Sequence, residues 1–258
     1  MVILHFIDTN SKIHTDLLMD MRIPQKRILE SDGVSLFHAS KDEFHYSTIG
    51  FIDISDKDQR KVVSDYLIAE LKDYVGNNSK ILIVGLGNRQ STPDALGPKT
   101  LDKILVTRHL FSFGEVEGGY SNVSIFEPNV YGSTGINSVD LIKKVVELVA
   151  PDVVIVVDSL CTSSIERMNH TIQITNSGIS PGSGVFNDRG ELSKKTLGCL
   201  VIALGVPTVV DINALIGKNN INNMIVTPKD IDSFIENISL LIGDALNKVF
   251  HENYDSTK

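Results

Sequence analysis

The sequence predicts an α/β fold of three layers, a mostly parallel twisted sheet with helices on both faces. Three observations predict it. Lys80-Ile81-Leu82-Ile83-Val84 and Val153-Val154-Ile155-Val156-Val157 are short apolar runs rich in β-branched residues, too short for helices and suited to strands buried on both faces. Segments with helical periodicity alternate with them, the pattern from which strand–helix–strand units build a parallel sheet. The first run ends in Gly85-Leu86-Gly87-Asn88, whose glycines let the chain turn sharply off a strand.

In chain order, the residues before about position 75 read as an N-terminal arm plus an edge element. They carry scattered charge (Lys41-Asp42-Glu43, Asp56-Lys57-Asp58) and a strand-like stretch at Tyr46–Ile54. A helical pattern follows from Arg60 to Tyr74, with Val62, Val63, Tyr66, Leu67 and Leu71 on one side. After the Lys80 strand, helical periodicity runs from Ala95 to Leu110 and a strand lies near Val123–Phe126. Asn137–Val149 reads as a helix stopped before Pro151. Val153–Val157 is the next buried strand and terminates in Asp158. Thr171–Thr175 and Leu200–Leu204 add strands, and Pro228 opens a final helix to Phe250 with Thr227 as its N-cap.

Composition narrows the function. The 258 residues are 42% hydrophobic and 22% charged, ordinary for a globular protein. Lys plus Arg total 24 against 32 for Asp plus Glu, a formal charge of −8. That argues against direct binding of nucleic acid, which needs clustered cations to release phosphate counterions, though not against an enzyme acting on a DNA-binding protein. Cys161 and Cys199 have no CxxC partner and no Cys/His cluster, so neither a disulfide framework nor a zinc site is indicated. The opening Met1–Phe6 run has no basic leader or cleavage site, and no apolar stretch reaches the ~20 residues of a membrane helix. A cytoplasmic protein without membrane contact is expected.

In an open parallel sheet, functional groups gather beyond the carboxyl ends of the strands. Two segments qualify: Gly85 to Pro98, with Asp94 at or near the start of the following helix, and Val156-Val157-Asp158-Ser159-Leu160, with an acid capping an apolar strand. Each acid has a plainer reading, Asp94 as an acid favoured by a helix dipole and Asp158 as a turn residue. Two carboxylates in one cleft can instead divide the roles of base and acid, as hydrolysis by an activated water requires. A dinucleotide site is a weak competitor because Gln90 stands where a Rossmann fingerprint has Gly or Ala. Cys161 with His170 reads as a packed thiol and a surface imidazole, and Ser159, Ser163 and Ser164 lack a GxSxG elbow.

Several longer strings carry a resemblance. They are Val84 to Pro98, Leu105-Val106-Thr107-Arg108-His109-Leu110, Gly132-Ser133-Thr134-Gly135-Ile136, Ile165 to Ile174, Gly178 to Val185, Leu197 to Asp211 and Met224 to Lys229. Together they resemble the spore germination proteases, endopeptidases that degrade small acid-soluble spore proteins. The resemblance implies an aspartic-type peptidase with a fold similar to the hydrogenase-maturation endopeptidases, in which the matching acids are Asp94 and Asp158. No cofactor is assigned; in the maturation enzymes these acids contact a metal, so a divalent ion, if present, would sit on Asp94 and Asp158. It implies a self-processing zymogen that works in germination, a homotetramer and a place in the spore core. His14-Thr15-Asp16-Leu17 looks like the processing region, which makes residues 1–20 a propeptide-like arm and residues 21–258 one endopeptidase domain.

Within that reading, Asp94 and Asp158 hold a water, one as base and one as acid. The turns at Gly85, Gly87, Asn88, Gly182 and Gly184 shape the site or stabilise an oxyanion, and Asp211 is a possible third acid. Two departures stand out. Ser159-Leu160-Cys161-Thr162-Ser163-Ser164 replaces the family's Ala-Leu-Ala-Ala-Arg-Ser, and only a short link, Gly217–Asn223, stands where many relatives carry a long insertion. The alternatives are a metal-dependent endopeptidase on the same acids and an inactive relative that only binds such proteins.

Overall fold

A computed structural model describes residues 17, 25–76, 79–114, 116, 118–181, 190–216 and 224–254. The chain first forms three strands, β1 (Lys26–Ser31), β2 (Val34–Lys41) and β3 (Phe44–Gly50). The helix α1 (Lys57–Lys72) follows, then the strand β4 (Lys80–Gly85), a single 3₁₀ turn (Thr92–Asp94) and two short helices, α2 (Leu96–Leu101) and α3 (Arg108–Phe113). Next come β5 (Asn122–Phe126), α4 (Tyr131–Thr134), α5 (Ser138–Val149), β6 (Val153–Thr162) and β7 (Thr171–Thr175). The remainder is α6 (Lys194–Leu197), β8 (Leu200–Asp211), α7 (Ile212–Ile216), β9 (Ile225–Val226) and α8 (Ile231–Phe250).

One sheet in the order β1-β2-β3-β7-β8-β6-β4-β5, with β9 on β8, organises the described residues. The expectation of a mostly parallel sheet is corrected: only β8, β6, β4 and β5 run parallel, and every other pairing is antiparallel. The cause is local. Asp32-Gly33 and Asp42-Glu43 are two-residue connections, and Asp32, Gly33 and Asp42 take positive φ, as tight hairpins need. The stretch expected as one edge strand is therefore a three-stranded meander, and it joins the parallel half through β7.

Helices cover both faces. On one, Val63, Leu67 and Leu71 of α1, Leu96 and Leu101 of α2 and Ile235, Ile238, Ile242 and Leu246 of α8 bury the odd-numbered side chains of β6 and β4. On the other, Val139, Ile142, Val146 and Val149 of α5 pack against Leu82, Val84, Val154 and Val156. The expected α5 holds closely: the Asn137 side chain accepts the Val139 N–H as an N-cap, and Ala150 in the left-handed region ends the helix before Pro151.

Three other elements differ from expectation. The helix expected over Ala95–Leu110 is two helices, because Asn247 of α8 satisfies the backbone between them by accepting from Leu105 N and donating to Lys103 O. The strand β6 does not stop at Asp158 but continues to Thr162 against the long β8. Thr227 is not the cap of α8; Asp230 holds that place, and the Thr227 hydroxyl donates to the Thr208 carbonyl at 2.9 Å.

Candidate functional site

Asp94 and Asp158, far apart in the chain, reach the same edge of the sheet. Strands β4 and β6 remain paired as far as Gly85 and Val157, and the Leu86 N–H still donates to the Val157 carbonyl at 2.9 Å. Asp158 is the next residue along β6, where β4 turns away and leaves its flank open. The turning segment brings Asp94 back over that place.

The return is fixed by backbone contact. Gly87 adopts φ +116°, and a Cβ there would stand 1.9 Å from the Asp94 carbonyl oxygen and 3.1 Å from Asp94 Oδ1, so only glycine fits. The Asn88 N–H donates to the Asp94 carbonyl at 2.9 Å, and the Asp94 N–H donates to the Ser91 carbonyl at 2.8 Å. The Asn88 side chain in turn accepts the Gln90 N–H at 3.0 Å. Arg89, between them, ties the loop outward: Nε donates to Glu127, both Nη atoms donate to Asp102 at 2.7 and 2.9 Å, and Nη2 also reaches the Pro98 carbonyl at 3.0 Å.

The two acids sit in different environments. Asp158 is 8% exposed. Burial first, and then the charge of Asp94, push its carboxyl well above the usual range, against the opposing effect of the Ser159 N–H. Asp94 is half-buried, and burial raises it to about 6 although the Asn88 N–H favours its ionised form. Both carboxyls therefore hold their protons more tightly than a free carboxyl, Asp158 through burial and the neighbouring charge of Asp94.

The other expected residues divide. Gly87 and Asn88 shape the site, whereas Gly85 is pressed against Gly97 of α2, a Cβ on it standing 2.6 Å from the Gly97 carbonyl, so its absent side chain serves packing. Asp211 is not brought to the pair. It lies six residues beyond Gly205, the β8 partner of Asp158, roughly 20 Å along the strand, and its carboxylate accepts from Asn213. Gly182, Gly184, Thr15 and Asp16 lie outside the described residues; Leu17 packs against the cluster that includes Leu86 and Leu160. Cys161 is buried and His170 exposed, as a packed thiol and a surface imidazole would be. Arg89 and Thr208, whose hydroxyl donates to the Pro93 carbonyl, were not singled out by residue type; Pro207 inside a buried strand run was the available signal for the second.

Fit to a resident metal can be tested on the side chains. Among the described residues no three His, Cys, Asp or Glu groups converge. The pair alone falls short of the three protein ligands of a catalytic zinc site, and one of its members favours its proton. The described residues do not fit a resident catalytic zinc ion.

Comparisons with known proteins place the chain among peptidases. A germination protease of Oceanobacillus iheyensis is 51% identical over 163 residues, which cover 60% of this chain and 44% of that protein. One of Bacillus subtilis is 49% identical over 164 residues, 61% of this chain and 45% of its own length. The match therefore spans about half the length of these relatives. A germination protease of Caldanaerobacter subterraneus is 35% identical over 302 aligned positions, covering 91% of this chain and 93% of the relative. A family model described as germination protease matches residues 11–222, a span that holds the Asp94 turn, the Asp158 strand and Thr208, and the chain belongs to the germination protease family.

Proposed function

We propose that the chain is an endopeptidase that cleaves small acid-soluble spore proteins, with Asp94 and Asp158 as an acid–base pair acting through water. The observation that carries the reading is the meeting of two carboxyl groups at one sheet edge, with proton affinities raised to different degrees. Environments that push two titratable groups apart assign their roles. Asp94, the more exposed and the more readily ionised, is the base that takes a proton from water as the water attacks the scissile carbonyl. Asp158, neutral in its dry setting, is the acid that gives its proton to the leaving amine. The proton gained by Asp94 and the one lost by Asp158 balance over a turnover once water re-equilibrates the pair.

The finer parts of the reading rest on the family resemblance. They are a fold like that of the hydrogenase-maturation endopeptidases, synthesis as a self-processing zymogen, assembly as a homotetramer and action in the spore core. Leu17 against the cluster that holds Leu86 and Leu160 supports a processing region lying beside the site. The net charge of −8 suits basic, DNA-coating substrates.

The test is cleavage of a purified small acid-soluble spore protein by the chain and by Asp94→Asn and Asp158→Asn. The parent is expected to cut it and each variant to lose about 10²- to 10⁴-fold in rate. Parent-like cutting by either variant overturns the pair. Intact substrate bound by the parent chain identifies a protein that only binds.

A further inference from the structure

The strand β8 carries an irregularity next to the site. Leu160 of β6 pairs with Pro207, but the next residue, Cys161, pairs with Val209, so Thr208 is an extra residue in the ladder. Proline inside a central strand belongs at such a bulge, since it has no N–H for the ladder, and bulges near active sites re-aim a side chain. Thr208 is fully buried. Its hydroxyl donates to the carbonyl of Pro93 at 2.7 Å, and its own carbonyl accepts the Thr227 hydroxyl at 2.9 Å. Pro93 immediately precedes Asp94 in the 3₁₀ turn.

We propose that Thr208 is a positioning residue for Asp94: the bulge aims its hydroxyl at the Pro93 carbonyl, and Thr227 steadies the bulge from the segment ahead of α8. This rests on the reading of Asp94 as a catalytic acid–base group. The hydrogen bonds from Asn88 and Ser91 lie within the loop itself, and Arg89 ties it outward to Glu127, Asp102 and Pro98. Thr208 ties the turn to the central sheet instead. Without that tie the loop keeps its local shape but loses its registration against Asp158. Misplacement by about 1 Å costs as much as 10²-fold in a reaction that depends on near-attack geometry.

The experiment compares Thr208→Val, Thr208→Ser and Thr227→Val with the parent in cleavage of a small acid-soluble spore protein and in amide hydrogen exchange. In Thr208→Val, kcat is expected to fall about 10- to 100-fold with KM unchanged. The Asn88, Asp94 and Ala95 amides exchange faster while the β6 amides do not change. Thr208→Ser keeps the hydroxyl and restores both readouts; Thr227→Val, which alters only the outer link and serves if Thr208→Val does not fold, moves them in the same direction by less. Parent-like kcat and exchange in Thr208→Val, or in Thr227→Val where it alone folds, overturn the proposal. If Asp94→Asn cuts like the parent, the acid pair falls, and exchange at the turn alone decides the tether.

Discussion

Gly97 of α2 rests on Gly85 of β4 with backbone against backbone: a Cβ on Gly97 would stand 2.3 Å from the Leu86 carbonyl oxygen and 2.7 Å from the Gly85 carbonyl carbon. Neither neighbour is a flexible side chain that can move aside. The helix that follows Asp94 is thereby seated on the strand that ends beside Asp158. Gly97→Ala is expected to destabilise the protein by about 1–3 kcal/mol through overpacking and to lower cleavage by lifting the Asp94 turn. Denaturant midpoints and kcat measure the two effects; an unchanged midpoint contradicts the close approach.

The pH dependence follows from Asp94. On the proposed mechanism cleavage needs its ionised form, so kcat/KM is expected to fall on the acid side with an apparent midpoint near 6. Stability runs the other way. A folded-state value of about 6 against 3.8 means that the contribution of this group is fully present below about 3.8 and is lost as pH rises through 6. Asp94→Asn should therefore be more stable than the parent at pH 7, on the order of 3 kcal/mol, with the difference shrinking toward pH 4. A variant no more stable at pH 7 would count against the dry setting of Asp94.

Asp158→Asn separates chemistry from folding. Burial favours the neutral form of this carboxyl, and asparagine keeps the oxygen that accepts the Ser159 N–H. Its unfolding free energy is expected to change by less than about 1 kcal/mol, while cleavage falls by 10²-fold or more, as removal of a general acid implies. A large loss of stability would mean that this carboxyl is ionised in the native state.

Arg89→Met removes the clasp from the loop to Glu127, Asp102 and Pro98. The side chain is 43% exposed, so its ion pairs are screened. A stability loss of about 1 kcal/mol is expected, shrinking in ~1 M salt. Thermal unfolding at two salt concentrations checks it, and an equal loss at both would point to the Pro98 carbonyl bond instead.

Chelation tests the carboxyl pair as a metal site. With two converging acids and no third His, Cys, Asp or Glu among the described residues, cleavage is expected to survive chelator treatment and to gain nothing from added divalent ions. Abolition by chelator with recovery on metal addition would reverse this.

The central strands β4, β6 and β8 were legible because they are buried on both faces and so carry short apolar runs. Thr171–Thr175 and the helix from Asn137 to Val149 fall where periodicity places them. The meander was hidden for the opposite reason. Every residue of β1, Lys-Arg-Ile-Leu-Glu-Ser, is exposed, so no alternation marks it. Asp158 looked like a strand end because Ser159 and Thr162 interrupt the apolar run, yet backbone pairing with β8 carries the strand through them. The two acids could be picked out as strand-edge residues, but their unequal burial could not, since it depends on how β4 turns away. Thr208 acts through a register slip, which is a property of two strands together.

The single antiparallel joint at β7 also sets an order of assembly. The meander is complete by Gly50, but β7, its partner beyond β3, leaves the ribosome only with residues 171–175, and β7 in turn needs β8. Loop closure over so long a span is slow relative to hairpin formation. The meander can pack on α1 as soon as that helix is made, but its place in the sheet waits for β7 and β8. The edge that carries the two acids is in the same position, because β8 supplies both the flank of Asp158 and the hydroxyl bonded to the Pro93 carbonyl of the Asp94 turn. On the proposed mechanism, a nascent chain lacking β8 has both acids but not the geometry to use them, which delays the peptide-cleaving centre until the domain is nearly finished.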